Sequence, residues 1–275
     1  MKTEPRKGPG ALALRAVALG YLAVLLVAPV GLVFWNTFFK DGLLPVVEAV
    51  TQPAALSALW LTLLIACITV PVNTVFGVWC ALKLARGRFP GQSILSAAVD
   101  LPFAISPVVV GLALLAVYGK AGWWGAWLIE HGLPVIFSLP GMVLATSFIS
   151  LPFVVREVVP VLRELGAEQE QAAATLGASP WQTLWRITLP SIRRAIAYGV
   201  VLTTARALGE FGAVSVVSGR LAGRTQTLTI YVDERFQSFD LAGAYTASVV
   251  LAVLALATLV AMRLLSSTRR EEAEA

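Results

Sequence analysis

The chain alternates between long apolar runs and short polar intervals. The apolar runs occupy residues 11–39, 55–82, 94–118, 136–155, 195–217 and 242–264. Each can supply the roughly 20 helical residues needed to cross a hydrocarbon core about 30 Å thick. The pattern therefore predicts an all-α integral membrane protein with six transmembrane helices. The first run exceeds the roughly 7–15 residues of a signal-peptide core and reads as a retained span. The expected organisation is a tail, first helix and outer loop over 1–52, a transmembrane core over 53–265, and a second tail over 266–275. Residues 271–275 are expected to be solvated and disordered.

One polar interval, residues 156–194, is more than a connection. Within it, residues 168–190 read EQEQAAATLGASPWQTLWRITLP. Glu168, Gln169, Glu170, Gln171, Ala172, Ala173 and Ala174 are helix formers with acidic residues early, where the helix dipole favours them. Gly177 sits where a helix end needs a residue free to take positive φ. Ser179 is a natural N-cap, Pro180 suits the first helical position, and Gln182 completes a capping box. Trp181, Leu184, Trp185 and Thr188 recur at helical spacing and predict one apolar face. Ile187, Leu189 and Pro190 are expected to end the unit. The stretch reads as a compact two-helix knob, and a surface-lying helix pair that merely links two spans is the plainer reading.

Composition agrees with the pattern: 57% of residues are hydrophobic and 13% charged, with a mean hydropathy of +0.79. The net charge of +5 would point to nucleic acid only if it formed a patch. Instead the Lys and Arg residues segregate by side. Fifteen fall in residues 2–15, 83–88, 156–194 and 263–270, against five (Lys40, Lys120, Arg220, Arg224, Arg235) in the alternate loops. This bias places both termini and the knob in the cytoplasm. Trp35 and Trp60 would flank the outer interface and Trp79 the inner one. Trp123, Trp124 and Trp127 would lie along the outer surface or on a short helix folded back. Cys67 and Cys80 fall in one predicted helix, roughly 20 Å apart at about 1.5 Å per residue, and cannot bridge. One histidine and no Cys/His cluster leave no metal candidate and no call for a cofactor.

Prolines 29, 71, 102, 107, 140 and 152 lie in or beside the spans, and their density favours kinked helices around a transport route over a simple anchor. The fifth run carries Arg206 near mid-span with Glu210 four residues on, on the same face. Ionisable groups at such depth face a bundle interior or a water-filled path. The pair can hold helices together. Alternatively, Arg206 can lend positive potential to an anion's path while Glu210 keeps it from becoming a sink. Gly209 and Gly212 would allow close approach of a helix or substrate. The mixed-charge segment 219–240 is solvated or meets a soluble delivery protein. The chain has no phosphate-binding loop and no nucleophile–base set, so it is not expected to be an enzyme. ATP, if used, must be hydrolysed by another chain.

The 168–190 stretch resembles the E-A-A-x-x-x-G-x(9)-I-x-L-P signature of ABC importer permeases, with Ala172, Ala173, Gly177, Ile187, Leu189 and Pro190 in register. Gln171 stands where the signature has Glu, so any ion pair made by that Glu in relatives would be lost here. DLPFAISPVVVGLAL, SLPFVVREVVP and ARALGEFGAVSVVSG resemble the W-type permease of sulfate/thiosulfate importers, and molybdate and tungstate permeases share much of this pattern. The resemblance implies a type I ABC importer permease fold in a bacterial cytoplasmic membrane. It implies that the knob is a coupling helix docking on an ATPase through Gln171, Ala172, Ala173, Gly177, Trp181, Trp185, Ile187, Leu189 and Pro190. Its implied partners are two ATP-binding subunits, a second related permease (a heterodimer, with a homodimer as the alternative), an extracytoplasmic oxyanion-binding protein and membrane lipid, with no nucleic acid. An ion-gradient-driven secondary transporter is the contrasting class, and it would want coupling-ion sites and an inverted repeat. A membrane enzyme would want a catalytic constellation.

Overall fold

The structure is a computed structural model that describes residues 9–40, 47–48, 51–87 and 89–274. Lys2, Arg6, Lys7 and Arg88 of the charge count lie outside the described residues. The described residues are helical throughout, with short connections. Helices α1 (Pro9–Leu22) and α2 (Ala28–Trp35) join through a wide π-type turn, Ala23–Val27. Then follow α3 (Pro53–Arg86), α4 (Gln92–Ala104), α5 (Pro107–Tyr118), α6 (Gly125–Glu130) and α7 (Leu139–Glu164). The knob comprises α8 (Glu168–Thr175) and α9 (Pro180–Thr183). The chain ends with α10 (Leu189–Leu208), α11 (Gly212–Val217), α12 (Leu228–Gln237) and α13 (Leu241–Glu274).

Four stretches are each long and apolar enough to cross a membrane: Ala13–Phe39, Pro53–Arg86, Leu139–Glu164 and Leu241–Thr258. A fifth is broken, because α4 and α5 meet at an angle of 114°. Pro107 explains that break, since it cannot donate to a continuing helix and forces Ser106 into an extended conformation (φ −60°, ψ 136°). The expected span 195–217 is not one helix. Helix α10 stops at Leu208 and restarts at Gly212, and three arginines in its 20 residues (Arg193, Arg194, Arg206) keep it less apolar than the others. The fourth span runs nine residues past its expected end at Val155, to Glu164. The tail expected to be disordered is helical to Glu274, as a run of Arg, Glu and Ala without Gly or Pro allows.

Helices α3, α7 and α10 form the centre of the bundle. They can approach closely because two glycines meet one valine. A Cβ on Gly77 would lie 2.8 Å from Val154 Cβ, and one on Gly199 would lie 2.8 Å from Val154 Cα. Just above this contact, the Asn73 amide donates to the Ser147 carbonyl and the Ser150 hydroxyl, both at 2.9 Å. One buried apolar cluster, with Val78, Leu84, Val154, Val158, Leu162 and Ile192, lies toward the knob. Another, with Leu61, Ile65, Met142, Ile149, Val214 and Ile230, lies toward the opposite end. There Gly111 and Gly212 bring α5 and α11 together, since added Cβ atoms would sit 2.8 Å from Val216 and Pro107 respectively.

Candidate functional site

The knob begins with local chemistry that the sequence announces. Gly177 has φ +84°, the left-handed conformation that ends α8. Ser179 then starts α9 with a complete capping box: its hydroxyl accepts from the Gln182 backbone N–H at 3.3 Å, and the Gln182 side chain accepts from its backbone N–H at 2.9 Å. From Pro180 the backbone stays helical into α10 through the wide turn Leu184–Thr188, closed by the Leu189 N–H donating to the Leu184 carbonyl. Ile187, Leu189 and Pro190 therefore do not end the unit, contrary to expectation. The widened turn lies directly before Pro190, whose ring would otherwise press on the carbonyl four residues back. It also splits the expected apolar face. Trp181 and Trp185 stay exposed and meet edge to face at 5.6 Å, whereas Thr188 turns inward and is buried.

The nine predicted docking residues accordingly divide. Gln171, Ala172, Gly177, Trp181, Trp185 and Pro190 are exposed; Ala173 is buried, and Ile187 and Leu189 are half-buried. The last three shape the knob, while the first six, joined by Leu176 at 88% exposure, form its outer surface. Two indoles and a leucine exposed on a segment between spans make an apolar patch of the kind that marks a protein contact.

Sequence reasoning missed what holds the knob. The Arg86 guanidinium, at the end of α3, meets the Glu170 carboxylate with Nε 3.1 Å from Oε2 and Nη2 3.3 Å from Oε1. Its remaining Nη1 donates to the Leu162 carbonyl of α7 at 2.7 Å, and the Thr188 hydroxyl donates to Glu170 Oε1 at 3.0 Å. Four elements are tied at one two-pronged ion pair, a geometry that fixes direction as well as distance. Glu170, beside the motif position, makes this pair, and Gln171 is exposed. A cleft of about 650 Å³ opens between this junction and the knob, walled by Trp79, Lys83, Ala174, Pro180 and Leu184 among others.

At the opposite end of α10, Arg206 and Glu210 do pair, Nη2 to Oε2 at 2.7 Å, with the Glu210 side chain 2% exposed. Glu210 also accepts the Ala213 backbone N–H at 2.9 Å through Oε1, capping α11, and its carbonyl accepts the Thr229 hydroxyl at 2.8 Å. Gly209 is exposed, and a Cβ there would touch only the Ala205 carbonyl at 3.5 Å. Gly212 packs on Pro107. The mixed-charge segment is ordered by ion pairs of its own, Arg220–Asp233 at 3.1 Å and Arg235–Asp240 at 3.2 Å. Trp123 and Trp124 immediately precede α6, which contains Trp127, so of the two expected arrangements the chain has the short helix. Cys67 and Cys80 are unbridged in α3. Among the described residues, no group of His, Cys, Asp and Glu could hold a metal.

The described residues form a multi-helix bundle with helices long and apolar enough to cross a membrane and an exposed knob between two of them. The family model described as the binding-protein-dependent transport system inner membrane component matches residues 73–271. The chain belongs to this family of ABC transporter permeases, multi-pass subunits of the inner membrane. It is 52% identical over 250 residues, 91% of this chain and 90% of the relative, to the sulfate transport system permease protein CysW of Synechocystis sp.. It is 43% identical over 206 residues, 74% of each chain, to the sulfate transport system permease protein CysT of Escherichia coli K12. Its fold matches a solved bacterial alginate ABC transporter in complex with an alginate pentasaccharide-bound periplasmic protein, with a TM-score of 0.75, 18% identity, and coverage of 94% of this chain and 93% of that one.

Proposed function

We propose that this chain is the transmembrane permease subunit of an ATP-driven importer of sulfate and thiosulfate. The observation that carries the reading is the 52% identity over nine-tenths of the chain to a permease named for sulfate transport. The higher identity to the W-type than to the T-type relative supports a W-type role beside a second, related permease. The structural relative with a bound periplasmic protein supports an extracytoplasmic oxyanion-binding protein as the source of substrate.

In this reading two ATP-binding subunits supply the energy, and both termini and the knob lie in the cytoplasm with them. The exposed patch of Leu176, Trp181 and Trp185 docks on an ATPase. Arg86 and Glu170 then pass the ATPase's movement to α3 and α7, because the knob cannot tilt without shifting a guanidinium bonded to both. Arg206 and Glu210 act as an internal brace: Glu210 is committed to a cation, a helix cap and, through its backbone, α12. Uptake of radiolabelled sulfate in a strain lacking this gene tests the substrate. Complementation should restore it, with thiosulfate competing strongly and molybdate weakly. Restored uptake of molybdate but not sulfate would refute the assignment.

A further inference from the structure

The exposed faces of the spans differ in character. Along α3, the exposed positions from Leu63 to Trp79 carry no charge, which suits contact with lipid tails. On α4 and α7, by contrast, Asp100 and Arg156 form an ion pair, with Nη2 and Nε of Arg156 at 3.0 and 3.1 Å from Oδ1. The two side chains remain 47% and 58% exposed. The guanidinium also lies 4.5 Å from the centre of the Phe103 ring, which meets Phe153 edge to face. Asp100 lies eight residues into α4, about 12 Å along the helix from Gln92. A long arginine side chain can carry its charged head away from apolar surroundings, but an exposed aspartate side chain is too short to do so. This face therefore needs water or a polar partner rather than hydrocarbon.

Beside the pair is a recess of about 220 Å³ lined by Ser96, Asp100, Arg156 and Arg163, among others. These groups bring two cations, one carboxylate and one hydroxyl together, and Arg163 makes no ion pair among the described residues. Phe153, Arg156, Pro160 and Arg163 form a lane down one side of α7 to its knob end. Asp100 lies four residues before Ala104, where the chain bends by 114°, so its ion pair fastens the bent element to α7.

We propose that this recess is an aqueous anion station at the knob end of the transport route, with Arg156 contacting the oxyanion and Asp100 serving as its displaceable counter-ion. The proposal rests on the oxyanion-import reading above. The divalent anion takes Arg156 and Arg163 in place of the Asp100 carboxylate, which frees α4 from α7. Return of Asp100 to Arg156 then expels the anion, so the station passes its cargo on and does not retain it.

The test uses the assembled transporter in proteoliposomes. Arg156→Gln should lower sulfate uptake per assembled complex about tenfold or more, the equivalent of one charge-assisted hydrogen bond lost, with the amount of assembled complex unchanged. Arg156→Lys should recover part of the uptake. In a background lacking Cys67 and Cys80, Asp100→Cys should react with a membrane-impermeant anionic thiol reagent, and saturating sulfate should slow that reaction. Wild-type uptake in Arg156→Gln would overturn the proposal, as would reaction at position 100 with lipid-soluble maleimide alone. Absence of sulfate uptake by the wild-type assembly would instead overturn the import reading, and the labelling would still decide whether the recess is aqueous.

Discussion

Arg86 and Glu170, 84 residues apart in the chain, meet through two charge-assisted contacts of 3.1 and 3.3 Å. The first residue ends a helix long and apolar enough to cross a membrane, and the second lies in the knob, so the pair joins the knob to that helix. Both side chains are about three-quarters buried, which limits screening by water. Arg86→Ala or Glu170→Ala should each remove about 1.5–3 kcal/mol and loosen the knob. ATP hydrolysis by the assembled complex should then persist while uptake per ATP falls several-fold. Gln171→Glu should leave both unchanged, because position 171 faces solvent and its neighbour already makes the pair. Equal coupling ratios in Glu170→Ala and wild type would refute this role.

Gly177 takes φ +84° with open space around it, so conformation and not crowding sets the cost of replacing it. Gly177→Val should destabilise the turn by on the order of 1–2 kcal/mol, and Gly177→Asn should cost less. Protease cleavage within the knob should accelerate in the same order. Equal cleavage rates for the two variants would show that the turn tolerates any residue.

Gly199 and Gly77 crowd Val154 from two sides. Gly199→Ala places a methyl group 2.8 Å from a backbone carbon that cannot rotate away, an overpacking cost of about 1–3 kcal/mol. The yield of folded permease in detergent gel filtration should fall, and adding Val154→Ala should not restore it, because the clash is with Cα. At Gly77 the nearest atom is Val154 Cβ at 2.8 Å, which alanine keeps, with Cγ1 next at 2.9 Å, so the same second change should relieve Gly77→Ala only in part. Full rescue at either position would contradict this packing.

For Arg206 and Glu210, an internal brace and a pathway role give opposite results. Glu210→Ala leaves a cation without its partner and uncaps α11, a loss of about 3–5 kcal/mol, and should sharply reduce assembled complex. The double change with Arg206→Ala should recover part of that loss. Normal assembly of Arg206→Gln with slowed uptake would instead favour the pathway role.

What could be read from the sequence follows the range of the interactions. Gly177, Ser179 and Gln182 act on neighbours within four residues, and the structure has the turn and the capping box as expected. Apolar length likewise revealed α3, α7 and the last helix. The Arg86–Glu170 junction was illegible because nothing local links position 86 to position 170, although Glu170 stood beside the motif position. The end of α10 was misread because the run 195–217 reads as one span despite Arg206 and Glu210 on either side of Gly209; the break there is organised by Glu210 accepting the Ala213 N–H, a contact that hydropathy does not encode. Likewise, Arg156 was assigned to an inter-span loop when α7 continues nine residues beyond the apolar run.

The proposed ATPase-docking surface of the knob is probed best at its exposed indoles. Trp185→Asp adds a charge that docking would have to desolvate, at a position already 56% exposed, so the permease should still fold. The decisive measurement is the amount of ATPase that co-purifies with folded permease. Trp185→Asp should lower that amount at least about tenfold, the equivalent of roughly 1.4 kcal/mol, with folded permease at its wild-type level. Full ATPase recovery with normal sulfate uptake would show that the ATPase binds elsewhere.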